Sequence, residues 1–239
     1  MSKIHVERMP TGVPDLDAII EGFVKDRSYL ISGEPGTGKT IFSIHFMSKA
    51  LKDGHKVGLV TTEEPLESIL LQASLVGMPL DKYVGNELKV VDTSLHRAIE
   101  ASFATPTGDY LIQSFRDLLS AIPSGVDCVV IDTITPYFLP MNATMARETA
   151  TEIMTTFREK RLTALLIMDE AVEPNVLRAV AAPMHGFIRL TYQHDPYTTR
   201  PIQLMYVRKL RATKTPRHPL MYEITETGIV IHKEKIPLE

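Results

Sequence analysis

Apolar residues along this chain fall into short uninterrupted runs that alternate with stretches of helical spacing. Runs that are apolar on both strand faces are typical of a parallel sheet covered by helices on each side. Such strands are predicted at 28–32, 57–62, 88–92, 126–132 and 162–168. Helices are predicted from residue 41 towards Gly54 and at 66–76, 109–122 and 145–160. The alternation predicts an α/β fold, with a mostly parallel twisted sheet flanked by helices.

The C-terminal part of the chain has a different pattern. The runs 187–192, 202–210 and 221–231 are predicted to be successive strands with turn residues, and no helices, between them. This predicts a mostly antiparallel β extension at 186–233, after an N-terminal segment at 1–27 and a parallel core at 28–170. The intervals 93–108 and 171–185 are expected to be loops. No linker divides the 239 residues, so one domain spanning 1–239 is expected.

Composition narrows the class of protein only a little. Hydrophobic residues make up 44% of the chain, which is enough for a full core, and the net charge of −3 carries no basic signature for nucleic acid. Cys128 lies in an apolar run, is expected to be buried, and as the single cysteine cannot form an internal disulfide. Neither a membrane span nor a signal peptide is recognisable, which favours a cytoplasmic protein without membrane contact.

A glycine-rich motif lies between the first predicted core strand and the helix that follows it. The segment 33–40 reads GEPGTGKT, which is the phosphate-binding pattern G-x-x-x-x-G-K-T. Its glycines allow backbone N–H groups to surround a polyphosphate, while Lys39 supplies a positive charge at the helix N-terminus. The predicted nucleotide-binding residues are Gly33, Glu34, Pro35, Gly36, Thr37, Gly38, Lys39, Thr40 and Ile41. The sequence therefore predicts binding of a nucleoside triphosphate.

Hydrolysis would also require a metal ion and a positioned water molecule. Thr40 offers a hydroxyl to Mg²⁺, and Asp132 ends the apolar strand 126–132, where its carboxylate can reach the same ion. The alternative for Asp132 is a strand-end residue that caps the next turn. Together, Thr40 and Asp132 are predicted to form the magnesium site.

Two adjacent glutamates, Glu63 and Glu64, follow the second predicted core strand. A carboxylate at this position can take a proton from the water that attacks the γ-phosphate. Since successive strand side chains face opposite ways, only one of the pair is expected to face the nucleotide directly. The alternative is a pair of solvated acids that favour the dipole of the next helix.

Taken together, these motifs resemble the KaiC-like branch of the RecA superfamily of ATPases, in a single-domain, archaeal-type form. The resemblance rests on five segments in the family's order: 11–17 (TGVPDLD), 33–40 (GEPGTGKT), 60–65 (VTTEEP), 207–211 (VRKLR) and 222–230 (YEITETGIV). The strand that ends in Asp132 continues the match. Two positions depart from the family pattern: 21–27 lacks a Gly-Gly turn, and 184–187 lacks the usual acid.

The resemblance implies a RecA-like P-loop core and water activation by Glu63 with Glu64 beside it. It also implies assembly as a homo-oligomer, either a hexameric ring or a filament, with ATP between neighbouring subunits. In such an assembly, Lys209 and Arg211 would contact the γ-phosphate held by the neighbouring subunit. The alternatives for these two residues are a solvated strand face and a patch that binds a nucleic-acid backbone.

Three functions therefore compete. The first is a slow Mg²⁺-dependent ATPase that assembles as a ring, with hydrolysis coupled to a conformational change or to a protein partner. The second is a DNA-binding recombinase paralogue that acts in DNA repair. The loop 171–185 has little positive charge, because Glu173 offsets Arg178, and this argues against strong DNA binding. The third is a signalling scaffold with structural ATP, which the Glu63–Glu64 pair disfavours.

Acids at the end of the last predicted core strand complicate the site. The resemblance implies a polar sensor of the γ-phosphate at this position, a role that Asp169 or Glu170 could fill. Two further acids beside a polyphosphate are unfavourable unless Mg²⁺ or a basic group lies between them.

Overall fold

A computed structural model describes residues 6–94, 108–194 and 201–232 of the chain. Its strands are β1 (Arg8–Met9), β2 (Phe23–Val24), β3 (Ser28–Gly33), β4 (Val57–Thr61), β5 (Leu88–Asp92), β6 (Cys128–Asp132), β7 (Thr163–Asp169), β8 (Gly186–His194), β9 (Pro201–Leu210), β10 (Leu220–Thr225) and β11 (Gly228–Ile231). Its α-helices are α1 (Pro14–Ile20), α2 (Lys39–Lys52), α3 (Leu66–Leu75), α4 (Gly108–Ala121), α5 (Thr135–Phe138), α6 (Ala143–Glu159) and α7 (Pro174–Ala181).

Within the described residues, strands β3 to β11 form one sheet in the order β11-β10-β9-β8-β3-β7-β6-β4-β5. Six of them, from β8 to β5 in this order, run parallel, whereas β9, β10 and β11 pair antiparallel beyond β8. The predicted fold class is therefore confirmed. One detail differs, because β8 pairs in parallel with β3, so the antiparallel part begins at β9.

Both faces of the parallel sheet are buried, as the apolar runs predict. In β3, Tyr29 and Ile31 belong to the cluster that contains α2, whereas Leu30 between them belongs to the cluster that contains α6. This division follows from the alternation of side chains along a strand. Cys128 of β6 is a free, buried cysteine, as expected.

The predicted loop at 171–185 is wrong in its centre, because α7 spans Pro174–Ala181. Proline is well tolerated at the first helical position, and the buried Val176 and Val180 form an apolar stripe with a spacing of four residues. Eight residues are too few for this periodicity to be evident in the sequence.

The C-terminal strand predicted at 221–231 is instead a hairpin. Thr225 of β10 lies opposite Gly228 of β11, and Gly228 takes a φ of 86° that suits glycine at such a turn. The expected N-terminal segment folds as β1, α1 and β2, with the carboxylate of Asp17 accepting hydrogen bonds from the Thr11 and Gly12 N–H groups.

Two expectations remain, one for the predicted loop 93–108 and one for membrane-spanning helices. Most of the predicted loop 93–108 lies outside the described residues. None of the helices in the part of the chain described is both long and apolar enough to cross a membrane.

Candidate functional site

The glycine-rich segment connects β3 to α2 at the carboxyl edge of the parallel strands. Gly36 and Gly38 adopt φ values of 82° and 87°, which a side chain would disfavour. The helix begins at Lys39 directly after Gly38, so its unpaired N–H groups lie at the loop. A helix N-terminus in this setting attracts an anion through its N–H groups and its dipole.

A cavity of about 390 Å³ lies against this loop. Its lining brings together the glycine-rich segment 33–40, which we call the phosphate loop, the Glu63–Glu64 pair and the predicted metal ligand Asp132. It also includes three side chains that sequence analysis did not assign to the nucleotide. The lining residues are Pro35, Gly36, Gly38, Lys39, Thr40, Ile41, Glu63, Glu64, Gln72, Asp132, Thr133, Asp169 and Ile224. Gly33, Glu34 and Thr37, the other predicted members of the loop, lie in the same turn but do not line the cavity.

Lys39 is buried, and the charge of its ammonium group is balanced by an acid from β7. Its Nζ lies 2.5 Å from Oδ1 of Asp169 and donates a 3.0 Å hydrogen bond to the Glu34 carbonyl. Of the two acids considered as sensors, Asp169 therefore reaches the cavity. Glu170 instead forms an ion pair with Arg189, at 2.5 Å, and accepts a hydrogen bond from Ser32. A basic group thus accompanies each acid, as the electrostatic argument requires.

Asp132 lies beside Thr40, and its carboxylate is poorly solvated. Burial raises the pKa of Asp132 to about 7, while the hydrogen bond to the Thr40 side chain acts in the opposite direction. Its buried Oδ2 has no hydrogen-bond partner among the described residues. A buried carboxylate oxygen without a partner, next to a hydroxyl, fits a hard divalent cation such as Mg²⁺, which takes oxygen ligands. The residues present therefore suit the predicted metal site.

Glu63 and Glu64 both line the cavity, and the expectation that only one of them faces the nucleotide directly stays a prediction. The strand rule does not apply because β4 ends at Thr61 and the two glutamates lie in the bend beyond it. Glu64 is held in place, since its Oε2 accepts a 2.6 Å hydrogen bond from Gln72 Nε2 and its carbonyl accepts one from the Thr61 hydroxyl.

A buried network of threonines connects the ends of three strands around the cavity. The Thr62 hydroxyl donates to the Thr133 carbonyl at 2.7 Å, and the Thr133 hydroxyl lies 2.7 Å from that of Thr135. Thr135 in turn accepts a 2.7 Å hydrogen bond from the Asp169 N–H. This network fixes the loops after β4, β6 and β7 relative to one another. Sequence analysis missed it because no spacing along the chain relates these residues.

Side chains from the antiparallel part of the sheet cover the outside of the phosphate loop. The Tyr192 hydroxyl donates to the Gly36 carbonyl at 2.6 Å, and the buried Tyr222 hydroxyl donates to the Thr37 carbonyl at 2.5 Å. These two bonds anchor the phosphate loop to β8 and β10. Sequence analysis also missed both tyrosines.

His45 joins three distant segments and was likewise not anticipated. Its Nδ1 donates to the Gly12 carbonyl at 2.8 Å, and its Nε2 accepts from the Ile229 N–H at 2.8 Å. Burial lowers the pKa of His45, which favours the neutral imidazole that this pattern requires. Nowhere in the described ranges do three or more histidine, cysteine or acidic side chains group as a metal cluster.

Lys209 and Arg211 lie at the opposite edge of the sheet. Leu210, which lies between them, pairs with Gly186 of β8, and Gly186 pairs with Tyr29 of β3. Tyr29 is four residues, or about 13 Å, along β3 from Gly33, where the phosphate loop begins. Both side chains lie on one side of their strand, since each donates to the Ala182 carbonyl, at 2.6 Å from Lys209 and 3.4 Å from Arg211. Neither residue lines the cavity at the phosphate loop of the same chain.

The structure contains a larger but more open groove of about 800 Å³ between α6 and α7, away from the phosphate loop. Arg147 and Glu148 line it from α6, and Arg178 lines it from α7. The groove brings no acid pair or metal ligand of the predicted site together. We therefore assign the nucleotide to the smaller cavity.

Comparisons with known proteins agree with this geometry. A family model described as "ATPase: KaiC" matches residues 9–236. A UPF0273 protein of Methanopyrus kandleri is 30% identical, over 97% of this chain and 94% of that protein. The circadian clock protein KaiC2 of Synechocystis is 28% identical, over 94% of this chain but only 40% of that protein.

Among solved structures, a KaiC-like protein of the archaeon Pyrococcus horikoshii superposes with a TM-score of 0.74 at 25% identity. The match covers 95% of this chain and all of the other. The resemblance inferred from the motifs is thereby confirmed: this chain belongs to the KaiC family of ATPases.

Proposed function

We propose that this protein is a Mg²⁺-dependent ATPase that assembles as a ring, with each nucleotide held between neighbouring subunits and hydrolysis coupled to a conformational change or a protein partner. The observation that carries the proposal is the convergence of Lys39, Thr40, Asp132 and the Glu63–Glu64 pair on one cavity. Lys39, Thr40 and Asp132 would be enough for a site that only binds the nucleotide. Water activation additionally requires an acid pair opposite the phosphate loop.

Binding begins with the phosphate loop. The N–H groups at the start of α2 and the ammonium group of Lys39 bind the β- and γ-phosphates. Lys39 then exchanges its contacts with Asp169 and the Glu34 carbonyl for contacts with phosphate oxygens. Thr40 and Asp132 would hold Mg²⁺, which supplies charge neutralisation at the phosphates.

Water activation falls to the acid pair. Glu63 accepts the proton of the attacking water, and Glu64, which Gln72 orients, lies beside it. The buried threonine network keeps Asp132 and Asp169 in register with the acid pair while the reaction proceeds.

The neighbouring subunit completes the site. Lys209 and Arg211 lie at the sheet edge opposite the phosphate loop, which supports a contact with the nucleotide of a second copy rather than with their own. A cation supplied across an interface stabilises negative charge on the transferring phosphoryl group. In the isolated chain the ammonium group of Lys209 binds the last carbonyls of α7, so assembly would exchange these contacts.

One observation favours the DNA-binding recombinase paralogue as a second candidate. Arg147 and Arg178 line the same open groove, although they lie in different helices. Two arginines in one groove can contact a nucleic-acid backbone. Glu148 in the same groove weakens this attraction.

The decisive experiment measures ATP hydrolysis with Mg²⁺, with and without single-stranded and double-stranded DNA, while light scattering reports the assembly mass. DNA-independent turnover in a closed ring, lost in the Glu63→Gln, Glu64→Gln double variant, supports the proposed ATPase. Turnover that DNA stimulates, in assemblies that grow on it, supports the recombinase paralogue. ATP binding without hydrolysis leaves the signalling scaffold.

A further inference from the structure

A second polar cavity lies at the edge of the sheet opposite the phosphate loop. Its volume is about 190 Å³, and it is lined by Arg27, Arg158, Arg211, His185 and Asp26, among others. These residues come from the turn before β3, the last turn of α6, the segment before β8 and the end of β9. We call this cavity the amino-edge pocket.

The charge in the amino-edge pocket is strongly unbalanced. Among the residues that the structure describes, three arginines line it and Asp26 is the one acid. The Arg27 guanidinium donates to a backbone carbonyl, that of Asp26, at 2.7 Å, and Arg211 makes a long 3.4 Å contact with the Ala182 carbonyl. Both of these partners are neutral carbonyls, so the positive charges of the two guanidinium groups are not balanced by them.

His185 adds an unusual feature to the pocket. Its Nε2 is buried and has no hydrogen-bond partner among the described residues, while its ring lies edge-on to that of Tyr29, 5.7 Å away. Buried polar atoms in folded proteins almost always have a partner. The neutral imidazole can carry its proton on Nε2, which makes this buried nitrogen a donor in need of an acceptor.

The C-terminus of α7 lies just before Pro183 of the pocket lining, and its partial negative charge would oppose an anion. Lys209 counters this effect, because its ammonium group donates to the Ala181 and Ala182 carbonyls at 3.2 and 2.6 Å. The lysine therefore neutralises the helix end and leaves the arginines to determine the potential of the pocket.

We propose that the amino-edge pocket is a second anion-binding site that takes a tetrahedral phosphate group. Guanidinium groups bind phosphate oxygens through paired N–H donors, and the cavity holds several times the volume of a water molecule, about 30 Å³. The phosphate can come from two sources: free inorganic phosphate, or the terminal phosphate of a nucleotide held by a second copy. Only the second source depends on the proposed ATPase ring.

The first arm of the test examines free phosphate. Inorganic phosphate is titrated at low ionic strength into the full-length Lys39→Ala variant, in which the phosphate loop is disabled, and binding is followed by calorimetry. Adding Arg158→Ala should weaken binding at least about tenfold, the usual effect of removing one charged hydrogen-bond donor. Arg147→Ala removes the same charge from the same helix, outside the pocket, and should leave binding unchanged.

The second arm examines the neighbour's nucleotide. Arg158→Ala protomers keep an intact phosphate loop, and Lys39→Ala protomers keep an intact amino-edge pocket, so the two are mixed and ATP turnover is measured. Turnover above the weighted mean of the separate proteins shows that the pocket of one copy serves the nucleotide of another. Thermal melts of each variant confirm that it is folded.

The two arms together decide the proposal. Phosphate binding that Arg158→Ala removes, or recovery of turnover in the mixture, supports it. The proposal fails if Arg158→Ala and Arg147→Ala bind phosphate equally, or not at all, and the mixture shows no recovery. Absence of hydrolysis in the unmodified protein would count against the proposed ATPase, and the calorimetric arm would still decide on the pocket.

Discussion

The two edges of one parallel sheet carry opposite charge. At the carboxyl edge, Glu63, Glu64, Asp132 and Asp169 surround a single lysine, Lys39. At the amino edge, the pocket contains three arginines and one aspartate, with Lys209 close by on β9. The same strands supply both edges, so the difference reflects which residues follow or precede each strand.

This comparison indicates what each edge still requires. At the acidic edge, the buried Asp132 Oδ2 has no hydrogen-bond partner within the described part of the chain, which suits a cation. At the basic edge, the same holds for the buried His185 Nε2, which as a donor would pair with an acceptor. Surfaces of opposite charge attract one another and set the orientation of association. A head-to-tail arrangement of copies would bring the two edges together around one nucleotide.

The largest expected effect comes from removing the cation of the acidic edge. Lys39→Ala deletes the charge that binds the β- and γ-phosphates, so turnover should fall by at least about 100-fold. ATP binding by calorimetry and hydrolysis by phosphate release measure it. Lys49→Ala, in the same helix but paired with Asp53, is the matched control and should behave as the unmodified protein. Undiminished turnover in Lys39→Ala would refute the assignment of the phosphate loop.

Variants of the Glu63–Glu64 pair should show whether the pair acts in the chemical step or in ATP binding. In the Glu63→Gln, Glu64→Gln double variant, turnover should fall by about 10²- to 10⁴-fold, the usual contribution of a general base. ATP affinity should be retained or improved, because two negative charges leave the cavity. Glu67→Gln, in the first turn of α3, is the control. An equal loss of affinity and turnover would mean that the pair serves binding rather than catalysis.

Removing one cation of the basic edge tests whether the two edges meet. Arg211→Ala should lower turnover by at least about tenfold and leave the nucleotide affinity of separated protomers nearly intact. Arg208→Ala is the control, since that guanidinium lies over the Tyr206 ring instead. Mixtures of Arg211→Ala with Lys39→Ala protomers should regain turnover. Activity that simply follows the proportions in the mixture would exclude a contact between subunits.

The buried Asp132 predicts how stability depends on pH in the absence of nucleotide and Mg²⁺. Burial raises the pKa of Asp132 from 3.8 to about 7, so the folded protein keeps a proton that the unfolded chain has already lost. This contribution is fully present below about pH 4 and is lost as the pH rises towards 7. Its size should be about 4 kcal/mol, because one pKa unit corresponds to about 1.4 kcal/mol.

Chemical denaturation across this pH range checks the prediction. Asp132→Asn should remove this component of the pH dependence, and Mg²⁺ with ATP should reduce it in the unmodified protein, because a cation favours the ionised carboxylate. Glu152→Gln, which alters an exposed carboxylate paired with Arg116, should leave the component in place. An unchanged profile in Asp132→Asn would assign the dependence to another group.

The smallest expected effect concerns the support of the phosphate loop. Tyr222→Phe removes the hydroxyl that binds the Thr37 carbonyl, a loss of about 0.5–1.5 kcal/mol, or roughly a three- to tenfold weaker affinity for ATP. Calorimetry measures the change. Tyr206→Phe retains a ring that packs under the Arg208 guanidinium and should have no effect.

Elements with a strong local signal could be predicted from the sequence. The order of strands and helices in the parallel core follows from the periodicity of apolar residues. The motif GEPGTGKT at 33–40 is recognisable because a predicted strand precedes it and a predicted helix follows it. Helix α7 and the β10–β11 hairpin could not be predicted in the same way. Helix α7 has only eight residues, which is too short for a clear periodicity. The β10–β11 hairpin turns within the run 221–231, whose residues all favour a strand.

The sequence by itself thus determined the fold class, the phosphate loop and the candidate acids, because each depends on neighbouring residues or on a short repeat. Only the tertiary structure decided that Asp169 pairs with Lys39, that Tyr222 supports the phosphate loop, and that Arg27 and Arg158 share a pocket. Those contacts join segments far apart along the chain. They depend on strand order and register, which arise from packing the whole sheet and have no local signature.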